Sequence, residues 1–500
     1  MNARHTNHQN LMQADLDRTE STELTGVLCV DLDGTLIASD MLWESLLLAT
    51  KQCPWILFLL PLWILRGKAF LKRRLAERAV LRPEFLPYRE DVVNYLRDQH
   101  AAGRTLVLAT ASDELLAQPI ASYLGLFERV LASDGATNLK GSTKAEQLVV
   151  EFGDKQFAYA GDSNSDVAVW QHASSAVVIG NSTFVSKVSR LAPLEKVFPV
   201  SPFNPLNLVK ALRLHHWSKN LLLVLPVFLA HEFEVPVLLK VALGLVLFGL
   251  AASSIYVIND LLDLPSDRAH SWKKLRPFAS GAVPIPYGLV AFVLLLTGSL
   301  LTMWKLLGTV SVLATLVYCI LSLTYSFLLK RIVLVDVFVL TSFYSLRLLI
   351  GAAMARVPLS NWFLAFSSFF FFSLALAKRY SELVHDEALV HKNNSGRGYQ
   401  VEDRQLLGTM GVASAFSAII ILSLYTQSSA VARLYPRPSL LMLICPIVLY
   451  WTSRVWLRAS RGQLQEDPVT MAFRDRVSYL AGLCALLVVT LASVARNPLF

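Results

Sequence analysis

The sequence predicts two unlike folded parts in one chain: a parallel α/β domain in front, and behind it an all-α polytopic membrane domain of about nine helices. Three observations carry this expectation. The 500 residues exceed what one hydrophobic core usually organises. The composition, 54% hydrophobic and 17% charged with a mean hydropathy of +0.47, is too apolar for an ordinary soluble chain. The charge is also divided, since residues 1–205 hold 20 Lys and Arg against 23 Asp and Glu, whereas residues 206–500 hold 26 against 14. The basic excess falls in loops between apolar stretches rather than in one patch, which is the pattern of membrane topology and excludes nucleic acid as a partner.

The first 23 residues are polar and expected to be disordered, and they lack the apolar core of a signal peptide, so the domain at 24–200 is expected to remain in the cytoplasm. From Gly26 the run VLCVDLDGTL reads as a buried parallel strand feeding a turn, and TLVLAT (105–110) and FAYAGD (157–162) repeat the pattern with polar residues at their ends. Helical stretches lie between them, which argues for a parallel sheet with a site at the strand C-termini. About 70 residues separate the first two strands, enough for a helical cap at about 38–100. Within it, CPWILFLLPLWIL (53–65) is only 13 residues long, short of the roughly 20 that span a bilayer, so a cap on or near the membrane surface is expected instead. The five cysteines (Cys29, Cys53, Cys319, Cys445, Cys484) show no metal-ligand or redox spacing and read as small buried hydrophobes.

After Pro202 and Pro205, apolar stretches of spanning length recur near 237–258, 285–303, 306–326, 332–353, 359–377, 405–425, 438–453 and 477–495, and a shorter one at 220–230 makes nine. Nineteen Lys and Arg fall in one set of alternating loops and six in the other, so the richer side is expected to be cytoplasmic. The implied location is a bacterial-type inner membrane, crossed many times.

Two groups of carboxylates carry chemistry. Asp31 and Asp33 stand two apart at a strand end, where they can converge on one space as a magnesium-assisted nucleophile and its acid/base partner. Thr110 closes the second strand, Lys144 opens KAEQL, and GDSNSD supplies Asp162 and Asp166. This ordered set resembles the haloacid dehalogenase-like phosphatases, whose Rossmann-like α/β fold with a helical cap would cover residues 24–200. The resemblance implies Asp31 as aspartyl-phosphate nucleophile, Asp33 as general acid/base, Thr110 as a phosphoryl contact, Lys144 as charge neutraliser, and Asp162 and Asp166 as anchors, with Asp31 and Asp33, of Mg²⁺. Lys140 competes with Lys144, and the helix start favours Lys144. Asp113 and Asp134 read as caps or turns.

The second group is NDLLDLPSD, with Asn259, Asp260, Asp263 and Asp267 at the end of a span, where steps of three, four and seven place the aspartates on one helical face unless Pro265 ends the helix first. Carboxylates crowded at a membrane edge repel unless cations intervene, so Mg²⁺ carrying a diphosphate suits them. RAHSWKKLRP follows, with His270, Lys273, Lys274 and Arg276. NDxxDxxxD before HxxKKxRP resembles the UbiA-type membrane prenyltransferases over nearly all of 206–500. With LHHWSKNLL, which holds Lys219, and AKRYSEL, which holds Lys378, Arg379, Tyr380 and Glu382, it is most similar to their polyprenyl-phosphate phosphoribosyltransferase branch. Other members carry a second acidic motif where KRYSEL stands. A basic one suits a second phosphorylated substrate by charge alone. Arg347 and Asp336 lie eleven residues apart in one span, roughly 16 Å along the axis, too far to pair. Arg347 is a candidate phosphate contact, and Asp336 is expected to find a loop lysine.

The expected protein is therefore a Mg²⁺-dependent bifunctional membrane enzyme. Its transferase would move phosphoribosyl from a phosphorylated sugar diphosphate to a polyprenyl phosphate lipid, and its front domain would remove the 5-phosphate, both at the lipid bilayer. Two alternatives are an aromatic prenyltransferase of quinone or haem biosynthesis, acting on a polyprenyl diphosphate, and a transporter with a phosphate-binding head. The sequence leaves the lipid chain length, the acceptor and the oligomeric state open.

Overall fold

A computed structural model describes residues 26–200, 203–388, 398–464 and 467–494. The stretch 1–23, expected to be disordered, and the basic residues Lys392, Arg397 and Arg496 lie outside the described residues. The chain divides into two compact units, one comprising residues up to Asn207 together with Asp260–Tyr287, the other Leu208–Asn259 with Gly288 onward.

In the first unit, six parallel strands form one sheet in the order β3-β2-β1-β4-β5-β6. They are β1 (Val27–Val30), β2 (Leu106–Asp113), β3 (Arg129–Ser133), β4 (Phe157–Gly161), β5 (Ser175–Gly180) and β6 (Leu194–Pro199). Alternate side chains point to opposite faces, and both faces are covered. Leu28, Val30, Leu106, Leu108, Ala158 and Ala160 enter one buried cluster, and Cys29, Val107, Ala109, Phe157 and Tyr159 the other. That double burial explains why β1 and β4 read as continuous apolar runs. The strand order reverses between β1 and β4, and the carboxylates DLD and GDSNSD leave their C-terminal ends there, where open α/β sheets place their sites.

The β1–β2 connection forms the expected helical cap. It runs through α1 (Met41–Gln52), α2 (Ile56–Leu65) and α3 (Lys68–Ala76), and α4 (Glu90–Ala101) leads back to β2. Asp40 starts α1 by accepting from the Leu42 amide at 2.8 Å. Helices α5 (Glu114–Leu124), α6 (Ser142–Phe152) and α7 (Ser182–Val188) complete this part. Asp113 caps α5 through the Leu115 amide, and Asp134 holds a turn through the amides of Ala136 and Thr137. The cysteine reading needs two corrections: Cys29, Cys319 and Cys445 are buried, but Cys53 is exposed, because it sits in the turn where α1 ends, and Cys484 on the last apolar helix is only half-buried.

The second unit is helical. Among the described residues, eight helices are long and apolar enough to cross a membrane: α8 (Val235–Leu262), α9 (Ile285–Leu307), α10 (Thr309–Phe327), α11 (Val335–Ala355), α12 (Asn361–Ala388), α13 (Asp403–Thr426), α14 (Ile444–Ser460, continued back to Pro438 by a 3₁₀ turn) and α15 (Arg476–Ser493). Large apolar side chains such as Leu294, Ile320, Ile420 and Leu483 point outward, as lipid-facing residues do. The ninth expected helix, 220–230, is not one helix. A 3₁₀ run, Leu214–Leu223, precedes a five-residue α-helix, Leu225–Leu229, because Pro226 has no amide to donate to the carbonyl of Leu222. This irregular segment approaches α11 very closely at Gly351, where a Cβ would stand 2.1 Å from the Leu223 carbonyl oxygen. Only glycine allows that contact.

Asp336 does not meet a loop lysine. It is buried on α11 and accepts from Arg379 Nε of α12 at 2.5 Å and from the Tyr399 hydroxyl. Two helices supply opposite charges at the same level, which removes the cost of leaving either one alone in an apolar interior.

The front core is testable at Trp170, which is fully buried, donates its Nε1 proton to the Tyr159 carbonyl at 3.0 Å and packs edge-on against Tyr159 and Phe184. Trp170→Ala should destabilise the front domain by about 3–5 kcal/mol. Urea-dependent proteolysis of the full-length protein in detergent reads this directly, and a loss below about 1 kcal/mol, the size of an average substitution, would refute the packing account.

Candidate functional site

The first site lies at the C-terminal ends of β1, β2 and β4. Asp31, buried, follows β1, and Lys144, at the start of α6 and also buried, donates to Asp31 Oδ1 at 2.9 Å and to the Tyr159 hydroxyl at 2.8 Å. Tyr159 in turn donates to Asp166 Oδ1 at 2.8 Å, and Lys144 Nζ stands 3.7 Å from the same oxygen. Asp166 Oδ2 accepts from the amide and hydroxyl of Ser163, so its carboxylate is held from both sides. Oxygens of Asp31, Asp162 and Asp166 lie within 4.8 Å of one another. Among the described residues this is the one group of three acidic, histidine or cysteine side chains gathered closely enough to hold a metal ion. Three hard oxygen donors fit Mg²⁺.

Asp33 takes a different position. Its Oδ1 accepts from the Met41 amide at 2.7 Å and its Oδ2 from the Ser112 hydroxyl at 2.6 Å, so its carboxyl turns to the cap and β2. Thr110 is fully buried on β2 and accepts from the Ser112 amide at 3.0 Å. Gly34, at φ +76°, makes room for the cluster: a Cβ there would stand 2.1 Å from Asp162 Oδ2. Lys140 is exposed.

Burial dominates the electrostatics of this site. It raises Asp31 to about 6 against the opposing pull of Lys144. Burial, reinforced by Asp40 and Asp31, raises Asp33 to about 7. Asp162 goes to about 8 through burial and the charges of Asp31 and Asp166. Burial alone would lower Lys144, but Asp31 and Asp166 together outweigh it and hold its ammonium above the usual range.

The second candidate site is the last turn of α8 together with the segment that follows it. The helix ends at Leu262, Asp263 lies outside it, and a new five-residue helix, Leu264–Arg268, begins with Pro265 in its first turn. The three aspartates are thus not on one continuous helical face. Asp260 and Asp267, both buried, share Arg276, whose Nη1 lies 3.4 Å from Asp260 Oδ1 and 2.5 Å from Asp267 Oδ2. Asp263 instead meets Lys51 of α1 at 2.8 Å. Arg268 is held by Glu44 of α1 through contacts of 2.6 and 3.1 Å, and Ala38 closes on Gly281, whose Cβ would stand 2.5 Å from the Ala38 carbonyl oxygen. His270, Lys273 and Lys274 are exposed on the following turn. Asn259, the last residue of α8 before the aspartates, has a buried Oδ1 with no hydrogen-bond partner among the described residues. Such an oxygen, next in sequence to a carboxylate, suits a cation.

In the helical unit, Lys219 Nζ lies 3.0 Å and Lys378 Nζ 3.7 Å from one oxygen of Asp467, which also accepts from the Tyr344 hydroxyl at 2.8 Å. Two lysines 159 positions apart are thereby gathered at one point. Burial would raise Asp467, but Lys219, Lys378 and the Tyr344 hydroxyl overcome it and hold the carboxyl well below the usual carboxylate range. Arg379 is committed to Asp336, to Glu382 at 2.6 Å and to the Tyr325 hydroxyl at 3.1 Å. Tyr380 packs edge-on against Trp456. Arg347, buried, donates to Asn220 Oδ1, the Phe343 carbonyl and the Tyr318 hydroxyl.

Sequence reasoning missed Ser112, Tyr159, Glu44, Lys51 and Asp467. Ser112 carried a weak signal, two residues beyond Thr110 on the same strand face. Tyr159 read only as part of the apolar strand run, and Glu44, Lys51 and Asp467 carried none, because each acts through a partner distant in the chain.

Comparison with known proteins follows the same division. Residues 28–171 match the haloacid dehalogenase-like hydrolase family, and residues 220–495 match the UbiA prenyltransferase family. The uncharacterized protein y4nM of Sinorhizobium fredii is 38% identical over 468 residues, covering 91% of this chain and 89% of its own length. The nodulation protein NoeC of Azorhizobium caulinodans is 35% identical over 53% of this chain and 86% of its own. A decaprenyl-phosphate phosphoribosyltransferase of Mycolicibacterium smegmatis is 39% identical over 183 residues, 35% of this chain and 57% of its own. With eight helices of spanning length among the described residues, and a match to the UbiA family, this is an integral, multi-pass membrane protein. The chain belongs to the UbiA prenyltransferase family and carries a haloacid dehalogenase-like domain in front of its membrane helices.

Proposed function

We propose that the membrane domain transfers phosphoribosyl from 5-phosphoribosyl diphosphate to a polyprenyl phosphate, and that the front domain then removes the 5-phosphate. The observation that carries the choice of substrate is the gathering of Lys219 and Lys378 at Asp467, a basic pair where an aromatic prenyltransferase would need acids. The 39% identity to a decaprenyl-phosphate phosphoribosyltransferase over part of its length supports the same choice. In the transfer, an oxygen of the lipid phosphate attacks C1 of the ribose, and the bond from C1 to the diphosphate oxygen breaks. His270, Lys273, Lys274, Arg276 and Arg347 are assigned to the phosphorylated substrates, with Arg379, Tyr380 and Glu382 shaping the pocket behind Lys378.

Asn259, Asp260, Asp263 and Asp267 would hold Mg²⁺ in the transferase, and Asp31, Asp162 and Asp166 in the phosphatase, where the ion when bound supplies positive charge against phosphate oxygens. In the front domain, Asp31 attacks phosphorus, Asp33 gives its proton to the departing ribose oxygen, and Asp33 then takes a proton from the water that cleaves the aspartyl phosphate. With Asp33 raised to about 7, its carboxyl can both give and take a proton near neutrality. Lys144 balances the charge on Asp31, and Thr110 contacts the phosphoryl group. The front domain lies on the cytoplasmic side, by the excess of Lys and Arg in the loops of that side. Tethering raises the frequency with which the phosphatase meets the lipid product.

Membranes given radiolabelled phosphoribosyl diphosphate and a polyprenyl phosphate should yield label extractable into organic solvent. Asp260→Asn and Asp263→Asn should each lower it by about 100-fold or more while leaving membrane insertion intact. Undiminished labelling in both removes the metal assignment, and prenylation of 4-hydroxybenzoate without phosphoribosyl transfer moves the protein to the aromatic class.

Asp31→Asn should keep lipid labelling but leave the 5-phosphate on the product. A product already free of it, with no other phosphatase present, overturns the coupled second step.

The raised carboxyls also predict a pH dependence. A carboxyl raised on folding stabilises the fold below its unfolded value, near 4, and loses that contribution as pH rises through its folded value. Without metal, Asp31, Asp33 and Asp162, at about 6, 7 and 8, should weaken the front domain progressively between about pH 4 and 8. Added Mg²⁺ should therefore raise the melting temperature more at pH 8 than at pH 5.5, and equal gains at both would count against the site.

A further inference from the structure

Helix α2, Ile56–Leu65, carries apolar residues at every position, yet only Ile56 and Trp63 are buried, with Leu60 half-buried beside them. Ile56 and Trp63, seven positions apart and so on one face, enter a small cluster with Ala49 of α1 and Leu75 of α3. Trp55, Leu57, Leu59, Leu62 and Ile64 are exposed, with Phe58 at 77% and Leu65 at 85%. So dense an apolar surface is far outside what a protein leaves to water.

The surroundings say what covers it. From Ser45 to Ala76 the chain has no acidic residue and six basic ones; Arg66 and Lys68, both exposed, directly flank the C-terminal end of α2, whereas Lys51, Lys72, Arg73 and Arg74 already hold Asp263, the Ala111 carbonyl, Asp113 and Glu77. An apolar helix with a basic border is complementary to an anionic bilayer surface, where acyl chains take the side chains and headgroups meet the cations. The same chain carries helices long and apolar enough to cross a bilayer, so that surface is always at hand. Ten residues make a helix of about 15 Å, half of the ~30 Å hydrocarbon core, so α2 can lie in the interface but cannot cross it.

We propose that α2 is a bilayer-docking element of the front domain, lying in the headgroup region of an anionic leaflet. The next helix ties this element to the catalytic strand end: Lys72 of α3 donates to the Ala111 carbonyl at 2.5 Å and to Asn138 Oδ1 at 2.9 Å, and Arg73 pairs with Asp113 at 3.2 Å. Ala111 adjoins Ser112, the hydroxyl partner of Asp33. Docking therefore holds the cap and the loop beside Asp33 at the membrane surface, where a phosphate borne on a lipid would be met. The docking itself does not depend on the transfer chemistry proposed above.

The test uses the full-length protein in nanodiscs of phosphatidylcholine and phosphatidylglycerol, with its native cysteines replaced. A nitroxide is placed at Phe58→Cys, at Leu65→Cys as a second reporter, and at Val150→Cys as a control; Val150 is 87% exposed on α6. Collision with oxygen, which concentrates in lipid, is compared with collision with a water-soluble nickel chelate. The oxygen-to-nickel ratio at positions 58 and 65 should exceed that at 150 several-fold, and should fall when phosphatidylglycerol is omitted. Ratios equal to the control overturn the proposal, as do shielding from both reagents and spin–spin broadening that reports a second copy of the chain on this face.

Discussion

Glu44 and Arg268 stand 224 residues apart and meet in a buried, two-oxygen ion pair. Removing one partner of such a pair typically costs about 3–5 kcal/mol, because the other charge is left unmatched in a low dielectric. The pair fixes the aspartate-bearing segment Asp260–Tyr287 onto the cap of the α/β domain, and the Lys51–Asp263 contact and the close approach of Ala38 to Gly281 depend on that placement. A segment that lies in sequence between two membrane helices is thereby folded as part of the front unit.

The same requirement, that a buried charge must meet its opposite, shapes the remaining polar interior. Lys144 balances Asp31 and reaches Asp166 through Tyr159. Arg379 balances Asp336 between two membrane helices, and Asp467 balances two lysines, one from the 3₁₀ run 214–223 and one from α12. In each case the geometry is set by hydroxyls, of Tyr159, Tyr399 and Tyr344, which supply hydrogen bonds without adding charge at neutral pH. The polar network therefore orients its ions and keeps them dry together.

Reading the sequence reached the features that are local. The strands β1, β2 and β4 were legible because two buried faces force continuous apolar runs, and Asp31, Asp33, Asp162 and Asp166 because they sit at the ends of those runs. Eight spans were legible by length and hydropathy. Strands β3, β5 and β6 were not named: RVLAS is short, and LEKVFP at the sheet edge mixes polar residues into its pattern. Residues 220–230 were read as one helix because hydropathy does not register the amide that Pro226 lacks. Asp336 was matched to a loop lysine when its partner is Arg379, since spacing along one helix says nothing about the facing helix. Asp467 was passed over inside a basic loop, where its role emerges only once Lys219 and Lys378 are brought beside it.

The interleaving of the chain bears on how such a fusion can be inherited. A cut near Pro205 separates two stretches of sequence, but not two structures. Arg268 would then lose Glu44, Asp263 would lose Lys51, and the turn at Gly281 would lose its neighbour Ala38. Recombination that joined this membrane half to an unrelated soluble domain would have to rebuild that surface residue by residue. The two halves are thus bound to vary together, with Glu44 and Arg268 as the positions at which one half constrains the other.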